Sequence, residues 1–267
     1  MPTITEQFLS LPRGRILYDA ARLRKPVAEL FSRDYWVSRD AVAEVAGGRG
    51  SVLFLRAGEH ALAGSHEWVM RHYRRGGLIA KFSADAYGWL GERRTRCFAE
   101  WRLLAELRSL KLPVPAPVAA YYQRSGLLYR ADLITERLPP SQTLAQSLVS
   151  GALSEQQWRS VGRTIARFHA HGVHHADLNA NNILLGADGQ ADGQADGQAN
   201  EQTNEQTIGQ IFVLDFDRGR IEARGAWEGR VLARLRRSLD KLKLQHDQVV
   251  FTDTQWRWLE HGATHSG

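Results

Sequence analysis

Cysteine is almost absent from this chain, since Cys97 is the single cysteine among 267 residues. No disulfide can therefore form within the chain, which fits a reducing compartment. The N-terminal stretch MPTITEQFLSLPRGR lacks the charged and then apolar layout of a secretory signal. The sequence also lacks an apolar run of the roughly 20 residues that cross a bilayer. We expect a soluble or peripheral protein of the cytoplasm.

Acidic residues are outnumbered by basic ones, which gives a formal net charge of +6 at pH 7 and a sequence pI of about 9.7. This excess favours an anionic partner, and charge alone does not choose among a nucleotide, a nucleic acid and a membrane surface. Hydrophobic residues make up 43% of the chain. The chain can therefore bury a core for one large domain or two lobes.

The first half of the chain predicts strands around one helix. Residues 47–82 are typical of short strands with glycine-bearing turns, and residues 126–140 of two more strand segments that end at a proline pair. Residues 92–110 have a strongly helical composition that stops before Pro113.

The second half predicts helices and one small hairpin. Ser154 and Gln157 form a capping-box pattern, and Gly172 is a natural stop after the helix that they begin. The apolar runs NILL and IFVLDF, joined by a polar linker, indicate paired strands. Residues 227–245 have the pattern of a basic amphipathic helix.

This order predicts a two-lobed α+β fold, in which a strand-rich lobe with one main helix precedes a helical lobe that carries a small hairpin. A cleft between two such lobes is a natural ligand site. The expected divisions are an N-terminal extension over 1–40, an N-lobe over 41–136 and a C-lobe over 137–267, with a low-complexity hairpin insert over 187–210.

The insert repeats the tetrapeptide ADGQ. Glycine at every fourth position opposes a helix, and almost no apolar residue is present to form a core. The alternate acidic positions of an EF-hand calcium loop are absent. We expect a flexible loop at the far tip of the hairpin.

The stretch HADLNANN carries the strongest chemical signal. Asp177 and Asn182 lie in a polar loop after a helix, and Asp215 directly follows an apolar run in VLDFD. Phosphoryl transfer needs a carboxylate that accepts the proton of the attacking hydroxyl, together with hard oxygen ligands that hold Mg²⁺ on the phosphates. These three residues supply such groups. The alternative interpretation makes Asp177 a turn former and Asp215 a strand-end cap.

Both motifs resemble those of the protein-kinase superfamily. HADLNANN is similar to the kinase catalytic loop, and DFD to the kinase metal motif. The resemblance implies that Asp177 is the catalytic base, that Asn182 and Asp215 bind Mg²⁺, and that ATP is the phosphate donor. It also implies that the two-lobed α+β fold is protein-kinase-like, with a strand-rich N-lobe that has one main helix and a truncated helical C-lobe.

A kinase N-lobe holds the ATP phosphates with a glycine-rich loop and with a basic side chain that pairs with a helix glutamate. GGRGSVLF matches such a loop at Gly48 and Gly50, although an ordinary hairpin turn is the alternative. Glu100 is the candidate helix glutamate, with a solvated surface position as its alternative. Arg71 stands where kinases usually carry lysine, and Lys81 is a second candidate for the basic group.

The connector LITERLPP is positioned to serve as the kinase hinge. Main-chain groups from Glu136 to Leu138 would then meet the adenine, and an ordinary strand end is the alternative. The cluster RHYRRGG lies near the expected ATP site and is a candidate for contacts with phosphates or with an anionic acceptor.

Five blocks of sequence narrow the resemblance: WVMRHYRRGGLIAKF, TRCFAEWRLL, LPVPAPVAA, HADLNANNILL and LDFDRGR. Together they resemble the lipopolysaccharide-core kinase family, and within it the enzymes that act on 3-deoxy-D-manno-octulosonic acid (Kdo). The resemblance implies ATP-dependent phosphorylation of the Kdo 4-hydroxyl on a Kdo-modified lipid A precursor. It also implies a peripheral location on the cytoplasmic face of a Gram-negative inner membrane.

The partners that follow are the Kdo-modified lipid A precursor and the anionic inner-membrane surface, with no nucleic acid. The helix over 227–245 can dock on such a surface, or it can pack in the core with a solvated basic face. The sequence indicates no oligomeric state.

Two other classes compete with this hypothesis. One is a different small-molecule kinase, similar to the aminoglycoside or choline kinases, which share a loop with Asp and Asn. The other is a nucleotide-binding pseudokinase or a basic RNA-binding module. The intact set of Asp177, Asn182 and Asp215, and the lack of a familiar RNA-recognition motif, argue against that second class.

Overall fold

The computed structural model describes residues 4–46, 52–62, 66–74, 85–186 and 209–264. Gly48, Gly50 and Lys81, which were expected at the ATP site, lie outside the described residues, as does nearly all of the predicted insert.

The chain divides into two compact units. The first consists of Met1–Lys111 and Pro115–Arg137, and the second of Leu112–Val114 and Leu138–Gly267. Strands dominate the first unit and helices the second. These contents agree with the α+β layout expected from the sequence.

The described part of the first unit is built on one antiparallel sheet, with strand order β1-β2-β7-β8-β5-β4-β3 and with β6 paired to β8. The elements are β1 (Glu6–Leu11), β2 (Gly14–Asp19), α1 (Arg33–Val37), β3 (Val42–Ala46), β4 (Val52–Arg56), β5 (Glu67–His72), β6 (Tyr87–Gly88), α2 (Arg96–Ser109), β7 (Pro117–Ser125) and β8 (Leu128–Glu136).

Residues 1–40, set apart as an extension in the sequence interpretation, contribute β1 and β2 to this sheet. The strand β2 pairs with β7 from Gly14 opposite Gln123 to Tyr18 opposite Ala119. The N-terminal segment is therefore integrated into the first unit.

The core of the first unit forms where strands and α1 bury their apolar side chains together. Trp36 of α1 packs with Leu55, Trp68 and Ile134 from three strands, and all four are at most 1% exposed. The helix α2 packs on β7, and it buries apolar residues that are spaced three apart. Those residues are Phe98, Trp101, Leu104 and Leu107.

The described part of the second unit combines short strands with longer helices. Its elements are β9 (Ser141–Thr143), α3 (Leu144–Ser150), α4 (Glu155–Ala170), β10 (Val173–His174), β11 (Ile183–Gly186), β12 (Ile211–Val213), β13 (Arg220–Ile221), α5 (Trp227–Gln245) and α6 (Asp253–Thr264).

The helix α4 begins at the predicted capping box. The Ser154 hydroxyl accepts from the Gln157 N–H at 3.2 Å, and the Gln157 amide oxygen accepts from the Ser154 N–H at 2.9 Å. Two N–H groups that lack partners inside the helix are thereby satisfied. The apolar stripe predicted for this helix is buried, and it consists of Trp158, Val161, Ile165 and Phe168.

The predicted hairpin is confirmed as the antiparallel pair β11 and β12. Ile183 pairs with Val213 near one end, and the Gly186 N–H donates to the Gln210 carbonyl at the other. At the first end the Leu214 N–H donates to the Asn182 carbonyl at 2.8 Å. The residues that precede β11 and follow β12 therefore lie side by side.

Four of the five residues of the apolar stripe that the sequence predicts for α5 are buried, namely Trp227, Val231, Leu235 and Leu239, and Leu242 is partly exposed. These four side chains are at most 5% exposed. The apolar face is therefore part of the core of the second unit, and the basic residues occupy the remaining faces. Within the part of the chain that the structure describes, no helix has both the length and the apolar character needed to cross a membrane.

Candidate active site

The turn between β10 and β11 brings Asp177 and Asn182 into direct contact. The side-chain NH₂ of Asn182 donates to the main-chain carbonyl of Asp177 at 2.9 Å, and that of Asn179 donates to the same carbonyl at 3.0 Å. Two amide side chains therefore hold the turn that presents Asp177. With its NH₂ group on Asp177, Asn182 keeps its amide oxygen for a second contact.

The buried imidazole of His175 joins this turn to the end of β12. Its Nε2–H donates to the Leu214 carbonyl at 2.8 Å, and its Nδ1 accepts from the Asp177 N–H at 3.1 Å. Burial lowers the pKa of His175 below that of an exposed histidine. A neutral ring with its proton on Nε2 satisfies both contacts, so His175 holds two segments in register.

Asp215 follows β12 in a left-handed backbone conformation, with φ of +59°. Such a conformation is uncommon for a residue other than glycine and is enriched at functional sites. The next residue, Phe216, is fully buried between His175, at 4.8 Å between ring centroids, and Phe168, at 5.7 Å. This packing fixes the chain on the C-terminal side of Asp215.

The oxygen atoms at this end of the hairpin fit a magnesium ion. Asp215 provides a carboxylate and Asn182 an amide oxygen, and both are hard ligands of the type that Mg²⁺ prefers. The described residues contain no group of three or more His, Cys, Asp or Glu side chains suited to a metal. A site with one carboxylate, completed by phosphate oxygens of a nucleotide, is the usual arrangement for Mg²⁺.

The carboxylate of Asp177 has a partner that sequence reasoning missed. Nε of Arg234, on α5, lies 2.6 Å from Oδ1 of Asp177, and the two side chains are 48% and 53% exposed. The two residues are 57 positions apart. The signal in the sequence was limited to the position of Arg234 on the basic side of an amphipathic helix.

In the first unit, Arg71 and Glu100 form the ion pair that the sequence interpretation left open. Nη2 of Arg71 on β5 lies 2.5 Å from Oε2 of Glu100 on α2. The Tyr73 hydroxyl donates to the same oxygen, and the Arg71 guanidinium lies over the Tyr73 ring at 4.7 Å. Glu100 is 3% exposed, so the surface position considered for it is wrong. Burial and the Glu100 charge raise the pKa of Tyr73 well above its ordinary value.

The predicted hinge begins at the last residue of β8. The N–H groups of Glu136 and Arg137 donate to carbonyls within the first unit, and the Glu136 carboxylate accepts from Nε of Arg22 at 3.0 Å. Arg22 is 2% exposed. The side chain of Glu136 is therefore committed to a buried ion pair, and its main-chain carbonyl is the group to consider for adenine.

Comparison with known proteins identifies the class. The model of the family described as "Lipopolysaccharide kinase (Kdo/WaaP) family" matches residues 33–262. The paired loop and strand-end motifs are those of a protein-kinase-like phosphotransferase. The chain belongs to the lipopolysaccharide kinase (Kdo/WaaP) family.

Several curated relatives are similar along most of their length. A 3-deoxy-D-manno-octulosonic acid kinase of Stenotrophomonas maltophilia (strain R551-3) is 47% identical over 233 residues, which are 86% of this chain and 82% of the relative. Proteins of the same name from Xanthomonas campestris pv. campestris (strain B100) and Xylella fastidiosa (strain 9a5c) are 45% and 43% identical, with the same coverage. A solved structure, "WaaP in complex with acyl carrier protein", is 18% identical with a TM-score of 0.49 and covers 90% of this chain and 86% of that one.

These findings confirm the resemblance drawn from the sequence, the two-lobed protein-kinase-like α+β fold class and the assignment as an enzyme. The chain is a kinase that transfers phosphate in lipopolysaccharide biosynthesis, and ATP is its substrate. The roles of individual site residues remain predictions.

Proposed function

We propose that this kinase phosphorylates the 4-hydroxyl of Kdo in a Kdo-modified lipid A precursor. The relatives that are 43–47% identical to this chain over the aligned residues are named Kdo kinases. The observation that carries the proposal is the convergence of Asp177, Asn182 and Asp215 at one end of the β11–β12 hairpin. Such a set suits transfer of a phosphoryl group to an alcohol.

Asp177 is the proposed catalytic base. It would accept the proton of the Kdo hydroxyl while that oxygen attacks the γ-phosphorus of ATP. Its backbone is fixed by Asn179 and Asn182 on the carbonyl side and by His175 on the amide side. A base that is held at both sides of its main chain presents its carboxylate from a fixed backbone position.

Asn182 and Asp215 are the proposed magnesium ligands. When bound there, Mg²⁺ would neutralise charge on the phosphate oxygens of ATP. The left-handed conformation of Asp215 and the buried Phe216 fix the main chain that carries the Asp215 carboxylate. Because its NH₂ group donates to the Asp177 carbonyl, Asn182 would offer its amide oxygen as the ligand.

For the nucleotide we propose Arg71 as the phosphate-binding cation and Glu100 as the group that holds it. Their ion pair has the strand-to-helix arrangement that kinases use for lysine and glutamate. Lys81 stays the second candidate, together with Gly48 and Gly50 for the phosphate loop.

Adenine would bind to main-chain groups of the hinge. We propose the carbonyl of Glu136 and the amide of Leu138, because the N–H groups of Glu136 and Arg137 already donate within the first unit. In this proposal residues 41–136 bind ATP, and residues 137–267 carry catalysis and acceptor binding.

We also propose that the protein acts peripherally on the cytoplasmic face of a Gram-negative inner membrane, where its acceptor is embedded. The apolar stripe of α5 is buried in the second unit, so this helix does not offer an apolar face to a bilayer. Contact between α5 and an anionic surface would therefore rest on its Lys and Arg side chains.

Transfer of labelled phosphate from ATP to a Kdo-modified lipid A precursor tests the proposal. We expect labelling at the Kdo 4-hydroxyl, loss of at least about 100-fold in kcat for Asp177→Asn, and a KM for ATP within about twofold of the wild-type value. Asp240→Asn, which neutralises an exposed acid on α5, is the control. Aminoglycosides and choline serve as competing acceptors, and their preferential phosphorylation would contradict the proposal.

A further inference from the structure

A cavity of about 460 Å³ lies beside Asp177 in the second unit. The catalytic turn forms one wall, with Asp177 and Asn179, and one face of α5 forms another. The α5 residues that line it include Arg234, Arg237 and Lys241. Asp177, the proposed base, therefore lines a cavity whose α5 side carries three positively charged side chains.

The three cations share one face of α5, because they are three and four residues apart. Among the described residues that line the cavity, Asp177 is the one acid. The lining therefore carries more positive than negative charge and suits a molecule with oxyanions. An acceptor that is itself a sugar acid meets this requirement.

The ion pair with Arg234 occupies Oδ1, one of the two carboxylate oxygens of Asp177. Nε of Arg234 lies 2.6 Å from Oδ1 of Asp177. With about half of each side chain exposed, such a pair adds little to stability and can exchange partners. A guanidinium also presents a planar set of donors that matches a carboxylate in a bidentate manner.

The position of Arg234 is fixed by the helix that carries it. α5 is anchored through its buried stripe, and the hydroxyl of Ser238, one turn after Arg234, accepts from the Ala180 N–H at 3.1 Å. This bond ties α5 to the catalytic turn. The distance between the Arg234 and Asp177 backbones is thus set by the fold, and their side chains are left to rearrange.

Resting on the function proposed above, we propose that Arg234 binds the carboxylate of the Kdo acceptor and that this binding releases Asp177 for the acceptor hydroxyl. An anion on Arg234 must lie within about one sugar ring of a hydroxyl on Asp177, because the two side chains touch. Kdo carries its carboxylate and its 4-hydroxyl on the same ring. The phosphates of the lipid lie on neighbouring sugars, so they fit Arg237 and Lys241 better.

The exchange couples recognition to chemistry. In the free enzyme, Arg234 holds Oδ1 of Asp177; with the acceptor bound, the guanidinium turns to the carboxylate and the 4-hydroxyl takes its place at Asp177. The hydroxyl oxygen then bonds to the γ-phosphorus, the bond from that phosphorus to the β,γ-bridging oxygen breaks, the hydroxyl proton passes to Asp177, and ADP leaves. A neutral sugar would not trigger the exchange.

The test uses soluble, deacylated Kdo acceptors, so that membrane contact plays no part. The full-length wild-type protein and Arg234→Gln are assayed for kcat and KM with three acceptors: the free acid, its Kdo carboxamide, and the free acid without the backbone phosphates. Arg234→Lys keeps the charge without the planar fork. Arg230→Gln removes an exposed arginine one turn earlier on the same helix and is the matched control.

We expect the wild-type protein to lose roughly 30- to 100-fold in kcat/KM on the carboxamide, and much less on the dephosphorylated acid. With the free acid, the kcat/KM of Arg234→Gln should lie below the wild-type value by the same factor. With the carboxamide, Arg234→Gln should be at least as fast as the wild type, because its Asp177 is already released. With the free acid, the kcat/KM of Arg234→Lys should lie between the values for the wild type and for Arg234→Gln. The kcat/KM of Arg230→Gln should stay within about twofold of the wild-type value on all three acceptors.

Retained discrimination between acid and carboxamide in Arg234→Gln would overturn this role while leaving the Kdo kinase function intact. If Arg234→Gln lost kcat/KM only with acceptors that carry the backbone phosphates, that result would overturn the carboxylate assignment. Absence of transfer from the wild-type protein to any Kdo acceptor would instead reject the proposed function, and this inference with it.

Discussion

His175 donates from Nε2 to the Leu214 carbonyl at 2.8 Å, so the segment that carries Asp177 and the segment that carries Asp215 share one imidazole. The second ring nitrogen accepts from the Asp177 N–H. Both contacts are to main-chain groups in a buried setting, where an unpaired group is costly. His175 is therefore the residue that sets the spacing between the proposed base and the proposed metal ligand.

Replacing His175 by phenylalanine should lower both stability and turnover. The ring would still pack on Phe216, but the Leu214 carbonyl and the Asp177 N–H would lose their partners. We expect the free energy of unfolding, measured in urea, to fall by about 2–3 kcal/mol and kcat to fall at least tenfold. His171→Phe, at an exposed position four residues earlier, should change either quantity little. Full activity in His175→Phe would contradict the role assigned to His175.

The same histidine should make stability depend on pH. Its pKa is lower in the folded protein than in the unfolded chain because the charged ring would be buried. The unfolded chain therefore binds a proton first as the pH falls below about 6.5, and the stabilisation present above that pH is lost on acidification. The free energy of unfolding should decline more steeply from pH 7 to pH 5 in the wild type than in His175→Phe. Parallel pH profiles would contradict this assignment.

The ion pair between Arg71 and Glu100 predicts a defect in nucleotide binding. Glu100→Gln removes the negative charge that pairs with Arg71, and should raise the KM for ATP about tenfold and lower the free energy of unfolding by about 2–3 kcal/mol. Glu106→Gln, at an exposed position on the same helix, is the matched control. An unchanged KM for ATP in Glu100→Gln would remove the support for Arg71 as the phosphate-binding cation.

The helical elements and the local motifs were predictable because their signals lie close together in sequence. The stripe of α4 repeats every three to four residues, and the capping box of Ser154 and Gln157 marks its first turn. Asp177 and Asn182 share a single turn, and a hairpin necessarily brings the residue after its second strand near the residue before its first.

The long-range pairs were not predictable in this way. β2 joins β7, about a hundred residues later, through main-chain hydrogen bonds that any sequence of suitable polarity can make. The contact of Arg234 with Asp177 depends on how α5 docks, which its stripe of apolar residues fixes without marking which basic residue reaches the turn. The pairing of Arg71 with Glu100 was named in advance only through the kinase pattern.

Because α4 and α6 cross closely, one added methyl group at the crossing should have a large effect on the free energy of unfolding. A Cβ added at Gly162 would lie 2.0 Å from the Leu259 carbonyl oxygen, and one at Gly262 would lie 2.1 Å from that of Arg159. Gly162→Ala should therefore lower the free energy of unfolding by about 2–4 kcal/mol, measured by urea denaturation. Gly229→Ala, on α5 with open space around its Cβ, should raise it by about 0.5–1 kcal/mol. Equal effects would contradict the close crossing.

Removing most of the ADGQ insert should leave catalysis intact, because the flanking residues Gly186 and Gln210 lie at the end of the hairpin opposite to Asn182 and Asp215. The Gly186 N–H and the Gln210 carbonyl already meet at 3.0 Å, so the chain can close directly there. Deletion of residues 188–207 leaves a three-residue connection, a common hairpin loop length. Since each doubling of loop length costs about 0.6 kcal/mol, the deletion should stabilise the protein by about 1–2 kcal/mol and keep kcat within about twofold. A variant with three additional ADGQ repeats should likewise retain its kcat, and a large loss of kcat in either variant would show that the insert takes part in the reaction.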